Sequence, residues 1–165
     1  KSEIVPSNKD RFLRKETLQG FVHDEASAFF GGLAGNAGLF STARDVARVY
    51  QMLLNGGEID GQRYLSKETC QLFTTETSKI SRRGLGFDKP DADDPKKGNC
   101  APAAPAEVYG HTGFTGTCAW VDPVNELVYV FLSNRIYPDV TNRKLNQLHI
   151  RERIQGAIYD AMKKK

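Results

Sequence analysis

Little in this sequence is available for cross-linking or for crossing a membrane. Its 165 residues hold three cysteines, Cys70, Cys100 and Cys118. Three thiols cannot close a disulfide framework, and none falls in a Cys-x-x-Cys pair, which excludes a finger-type zinc site. Apolar runs are short, Val128-Tyr129-Val130-Phe131-Leu132 among them. None approaches the roughly 20 residues that a membrane-spanning helix needs. No basic segment followed by an apolar one opens the chain, so no signal peptide is expected in it. Excess charge is slight: 23 Lys and Arg against 20 Asp and Glu leave +3, partly from Lys163, Lys164 and Lys165. No basic stripe with interleaved aromatics accompanies it, which argues against a nucleic-acid partner. No internal repeat is visible. The length fits a single domain, residues 1–165, able to bury a core of its own.

What is present divides near residue 40. Residues 1–40 read as an irregular, glycine-rich region. Gly31, Gly32, Gly35 and Gly38 place four glycines in eight residues, which asks for positive φ or a close backbone approach. A phosphate cradle is excluded on two counts. No Lys-Ser/Thr follows, and the Gly-x-Gly-x-x-Gly spacing is absent. Residues 41–165 read as helices plus antiparallel sheet. Ser41 or Thr42 caps a helix whose Val46, Val49, Tyr50, Leu53 and Leu54 form one buried stripe, and Asn55-Gly56-Gly57 stops it. Asp60-Gly61 makes a tight turn, and Ser66 caps a short helix through Phe73. Four prolines between Pro90 and Pro105 mark an exposed loop. Strands are expected at Gly84–Asp88, Glu107–Thr112, Gly116–Asp122 and Leu127–Ser133, the last apolar enough to be buried on both faces. Leu145, Leu148, Ile150, Ile154, Ala157, Ile158 and Ala161 mark an amphipathic helix from Asn142 to Met162. The fold class is α+β, a small antiparallel sheet flanked by helices. The open edges of so small a sheet leave room for a second copy of the chain to pair there.

One tripeptide has chemistry in its context. His111-Thr112-Gly113 ends an expected strand and runs into Phe114-Thr115-Gly116-Thr117. A hydroxyl, a hydrogen-bonding ring and a glycine can line a cleft, where the glycine clears space for an acyl group and the next N–H points at an oxyanion. The same residues also suit a plain β-hairpin with a half-exposed histidine. His23-Asp24-Glu25 could hold a metal or act as acid and base, but adjacent residues of an extended chain point in alternate directions. A structural loop suits them better. Cys118 reads as a small buried thiol rather than a nucleophile. Trp120 reads as core, and His149 as surface.

Four segments together carry a resemblance. They are Ile4-Val5-Pro6, Gly20-Phe21-Val22-His23-Asp24-Glu25, the run from Gly31 through Asp45 to Leu53-Leu54-Asn55-Gly56-Gly57, and Tyr109-Gly110-His111-Thr112-Gly113-Phe114-Thr115-Gly116-Thr117. The likeness continues through Trp120-Val121-Asp122-Pro123 and Phe131-Leu132-Ser133-Asn134-Arg135. The chain resembles the penicillin-recognising serine hydrolases, in the branch of class C-like β-lactamases, D,D-peptidases and related esterases. That family carries a third motif, Lys-Thr-Gly or a variant, on a strand beside its nucleophile. The resemblance makes His111, Thr112 and Gly113 substrate-binding residues and the Phe114 N–H one half of an oxyanion hole. Losing such a donor costs about 3–4 kcal/mol of transition-state stabilisation. Histidine in place of lysine carries only partial charge at neutral pH, which weakens the case for strong activity on β-lactams.

The family's nucleophile belongs to Ser-x-x-Lys, and its second motif is Tyr-x-Asn or Ser-x-Asn. Neither occurs here. Thr141-Asn142-Arg143-Lys144 is the nearest approach, and it reads as the cap of the last helix. The expectation is therefore the C-terminal part of a β-lactamase/transpeptidase-like fold, inactive alone, whose parent cleaves amides or esters through an acyl-enzyme. No metal and no organic cofactor is implied. The implied partners are a small-molecule or peptidoglycan-peptide substrate and the N-terminal part of the same protein. The resemblance also implies a periplasmic or exported parent. The other reading is a non-catalytic module that binds a cell-wall peptide or sugar.

Overall fold

The computed structural model describes residues 3–75, 80–91, 93–94 and 98–163. The N-terminal region has more order than its composition promised. Strands β1 (Pro6–Lys9) and β2 (Thr17–Gln19) form an antiparallel hairpin with an irregularity between Pro6 and Asn8. Helix α1 (Glu25–Phe29) follows, its Asp24 cap accepting from Ser27 N at 2.7 Å. The region expected to be irregular thus carries a hairpin and a short helix within otherwise irregular backbone. Polar side chains hold the hairpin where no hydrophobic alternation announced it: the Asp10 carboxylate accepts from Phe12 N, Leu13 N and Arg14 N, and from Arg14 Nε at 2.8 Å. Beyond α1 the glycines do what their density implied. Gly38 has φ +122°, and a Cβ there would lie 2.2 Å from the Gly32 carbonyl oxygen.

Helix α2 (Ala43–Leu54) begins where expected. Thr42 Oγ1 accepts from Asp45 N at 3.2 Å and donates to Asp45 Oδ2 at 2.8 Å. Its apolar stripe is only half buried, however, and Val49 is 54% exposed. The two-residue strands β3 (Glu58–Ile59) and β4 (Gln62–Arg63) pair across Asp60 and Gly61, both at positive φ. Helix α3 (Lys67–Thr74) is capped by Ser66, whose Oγ accepts from Thr69 N at 3.1 Å.

Strands β5 (Tyr109–Thr112), β6 (Cys118–Asp122) and β7 (Leu127–Phe131) make the main antiparallel sheet in that order. No strand forms at Gly84–Asp88; a single bridge joins Asp88 to Gly110 instead. The expectation that the apolar strand would be the doubly buried one is also corrected. The five residues of β6 are all buried, whereas β7 lies at the sheet's edge and is mostly half-exposed. Position in the sheet, more than composition, decides burial. The Pro90–Pro105 segment is not simply an exposed loop either. Among its described residues, Cys100 and Ala101 are each 2% exposed, and Ala101 N donates to Gln155 Oε1 at 2.8 Å.

Helix α4 (Lys144–Gln147) and helix α5 (Ile150–Met162) replace the single terminal helix, because His149 turns left-handed between them at φ +48°. His149 is exposed, as expected. The core gathers Trp120 (1% exposed), Val108, Cys100, Cys118 and Tyr129, with Ile158 of α5 packed against them. Two hydrogen bonds lock α5 onto the sheet: Tyr129 Oη to Arg151 O at 3.1 Å and Tyr159 Oη to Asp122 Oδ2 at 2.8 Å. Helix α2 lies against β6 and β7. Among the described residues no helix is long and apolar enough to cross a membrane.

All three cysteines are buried free thiols. Burial pushes the Cys100 thiol up to about 12 and the Cys118 thiol up to about 11, and it raises Cys70 as well. Since the thiolate is the reactive form, native protein at pH 7.5 should take up iodoacetamide very slowly at every cysteine. Intact mass after denaturation should then show three labels; fast labelling of Cys118 in native protein would contradict its place in the core.

Candidate active site

The His-Thr-Gly segment sits at the end of β5, and β6 fixes its register: Gly110 pairs with Trp120, His111 with Ala119 and Thr112 with Cys118. Strand pairing and the buried Trp120 therefore set the position of the polar pair. His111 and Thr112 are half-buried, neither sealed in the core nor loose in solvent. His111 Nδ1 lies 2.7 Å from Thr112 O. A carbonyl can only accept, so Nδ1 carries the proton in this contact.

Past the strand the backbone turns sharply. Gly113 N donates to Thr117 O at 2.8 Å, and Gly116 N donates to Gly113 O at 3.0 Å. A side chain at either glycine would displace a neighbour. A Cβ on Gly113 would meet Thr117 Oγ1 at 2.3 Å, and one on Gly116, at φ +111°, would meet Ser133 Oγ at 2.7 Å. Within this turn the Phe114 N–H donates to no partner among the described residues. The turn thus offers a backbone donor, without a partner among the described residues, two residues beyond a threonine hydroxyl. Such a pre-positioned donor is what stabilises charge developing on an acyl oxygen.

The turn is braced from two sides. Ser133 Oγ donates to Gly116 O at 2.8 Å, and Arg135 N donates to Thr115 O at 2.8 Å. The Phe114 ring lies parallel to the His23 ring, centroids 5.3 Å apart with 4° between planes. The Arg135 guanidinium carbon stands 4.6 Å from the same Phe114 centroid. A cavity of about 280 Å³ opens beside the turn, with Ser133, Asn134, Arg135, Asn142, Lys144 and Leu145 among its lining. Partial burial lowers the pKa of Arg135, and repulsion from Arg143 and Arg151 adds to the effect.

The remaining candidates resolve simply. Asp24 spends its carboxylate on the α1 cap, where the Ser27 N–H holds its pKa below the usual range. Among the described residues no three His, Cys, Asp or Glu converge as a metal site. Cys118 and Trp120 belong to the core. His23, read from sequence as part of a structural loop, and Arg135, given no part in the chemistry, both meet Phe114. Each lies far along the chain from Phe114, and no spacing rule connects them.

A family model described as Beta-lactamase matches residues 5–152. The chain belongs to the beta-lactamase family. Similar proteins from Escherichia coli (strain K12), Salmonella agona (strain SL483) and Salmonella typhi each bear the name "Putative D-alanyl-D-alanine carboxypeptidase". Each is 37% identical over 135 residues, covering 81% of this chain and 31% of its relative. The chain therefore spans about a third of the length of the curated relatives it matches. Membership places it among the penicillin-recognising serine hydrolases. The mixed helices and small antiparallel sheets agree with the C-terminal part of a beta-lactamase-like fold.

Proposed function

We propose that this chain supplies the His-Thr-Gly side of an acyl-transfer site that cleaves amide or ester bonds. The serine would come from a Ser-x-x-Lys segment that these 165 residues do not contain. The observation that carries the reading is the turn after β5, whose Phe114 N–H, next to Thr112 and Gly113, has no partner among the described residues. In this reading the serine attacks the scissile carbonyl, and the Phe114 N–H receives the oxyanion of the tetrahedral intermediate. The leaving group departs, and water later releases the acyl group. Thr112 Oγ1 donates to the substrate carboxylate or amide. His111 adds a hydrogen bond, plus charge when protonated. Gly113 keeps the approach clear. The names of the relatives favour a peptide ending in D-alanine as substrate, and with it a periplasmic or exported protein.

In a protein joining this chain to its Ser-x-x-Lys segment, Thr112→Val keeps shape and removes one hydrogen bond to a charged group. Acylation by a fluorescent penicillin should fall roughly 10- to 100-fold. The 165-residue chain alone should take no label. Unchanged acylation in Thr112→Val would remove Thr112 from the site. Labelling of the short chain at any serine would overturn the division of labour, and peptidoglycan-peptide binding without any labelling of the joined protein would favour a binding module.

A further inference from the structure

His23 lies 91 positions before Phe114 in the chain, yet its ring stacks on the side chain of the residue that presents the proposed oxyanion donor. Three observations indicate that this contact is built. First, the backbone on either side of His23 is pinned. Arg14 Nη1 donates to Val22 O at 2.8 Å and Arg14 Nη2 to His23 O at 2.9 Å, while Arg14 Nε is held by Asp10 at 2.8 Å. Second, Asp24 immediately after it is fixed as the α1 cap. Third, the imidazole is not placed by hydrogen bonds of its own: Nδ1 is buried with no partner among the described residues. The aromatic contact of the ring among the described residues is its face against Phe114. The N-terminal hairpin is also tied to the strand end beyond β7, through Asn134 Nδ2 to Pro6 O and to Ser7 O. Both ends of the clamp around Phe114 are anchored to the same framework.

Phe114 needs such a clamp. Its side chain is 61% exposed and too far out to be held by the core. A glycine precedes it and another follows two residues on, so the local backbone has few side chains to restrain it. We infer that His23 is a positioning residue for the active-site turn: stacked on Phe114, it holds the Gly113–Gly116 backbone so that the Phe114 N–H keeps its aim. The inference rests on the function proposed above only where it concerns catalysis; the restraint of the turn stands on geometry alone.

Two measurements separate the parts. On this chain, amide hydrogen exchange at Gly113 and Gly116, whose N–H groups donate within the turn, should quicken roughly two- to tenfold in His23→Ala, matching the worth of one aromatic pair. His23→Phe, which restores a ring without nitrogens, should bring exchange back toward wild type. His23→Leu, apolar but not aromatic, should not. Should His23→Ala fail to fold, the Leu and Phe variants still decide the matter. Unchanged exchange in the Leu variant overturns the inference, as does a Phe variant no slower than Leu. In the joined protein carrying Ser-x-x-Lys, His23→Ala should lower kcat for a p-nitrophenyl ester by a similar factor with KM little changed, and His23→Phe should recover most of the loss. A fall expressed only in KM overturns the positioning role. A wild-type joined protein without activity refutes the proposed function while leaving the exchange result intact.

Discussion

Replacing Asp88 by alanine is expected to destabilise the chain by about 3 kcal/mol, the lower end of what breaking a buried ion pair costs. Asp88 is completely buried. Its carboxylate forms an ion pair with Arg82, whose Nε lies 2.9 Å away while donating to Lys89 O, and it accepts hydrogen bonds from Arg82 Nη2 at 3.1 Å, from Asn99 Nδ2 at 2.8 Å and from Lys89 N at 3.0 Å. Truncation leaves these donors aimed at an empty space, and Arg82 is then a part-buried cation without its main partner. For a domain of this length the midpoint of thermal unfolding should drop by roughly 6–12 °C. Charge sets the pH dependence. Burial alone would raise the Asp88 pKa, but the hydrogen bonds from Asn99 and Arg82 outweigh it and lower the pKa below the ordinary carboxylate value. A depressed folded-state pKa contributes stability at pH above the unfolded value, near ~3.9, and that contribution fades as pH falls toward the folded value. The gap in melting temperature between wild type and Asp88→Ala should thus be full at pH 6 and shrink below about pH 4. A constant gap from pH 6 to pH 3 would show that the lost packing matters and the charge does not. The site should feel the change too, because Asp88 N donates to Gly110 O at 2.7 Å and Gly110 N returns a bond to Asp88 O at 3.0 Å.

Gly110→Ala is the second large effect, expected at about 3 kcal/mol or more. The glycine's conformation is ordinary for a strand; the obstacle is space. A Cβ would lie 2.1 Å from the Ala119 carbonyl oxygen, 2.7 Å from Trp120 Cε3 and 2.8 Å from Trp120 Cα. Two of those three atoms are backbone, and Asp88 closes the other edge, so β5 cannot step aside without giving up a row of hydrogen bonds. Gly156→Ala makes the fitting comparison. That glycine lies within α5, and its new Cβ would find only Ala101 Cβ at 4.0 Å. Removing a helix-interior glycine should stabilise by roughly 0.5–1 kcal/mol. Opposite shifts of the two variants in chemical denaturation are the expected result; a Gly110→Ala protein as stable as wild type would mean that β5 and β6 do not approach as closely as described.

Local signals were read correctly wherever one side chain decides the structure. Thr42 and Ser66 announced their helices, and each accepts the backbone N–H that its position implied. Asp60-Gly61 announced its turn, and the strand runs around 110, 120 and 130 became the main sheet. Failures came where distant partners decide. Cys100 and Ala101 lie in a proline-rich stretch, yet α5 draws them inside. Apolar β7 stays half-exposed because it is an edge, and less uniform β6 is buried because it is central. The β1–β2 hairpin was missed because its polar residues bond through side chains, a pattern with no hydrophobic period to detect. Of the candidate site, His111, Thr112, Gly113 and Phe114 were proposed from the motif. The approach of His23 and Arg135 was not, since contacts with Phe114 from elsewhere in the chain leave no trace in spacing.

The buried thiols carry one more consequence. Cys70, Cys100 and Cys118 are unpaired and take their places as small apolar groups, Cys100 and Cys118 within the main core. No covalent bond between them holds helix to sheet. The fold accordingly owes nothing to the redox poise of its surroundings: a reducing buffer should leave its melting temperature where an oxidising one does, and the same architecture is attainable in a reducing or an oxidising compartment.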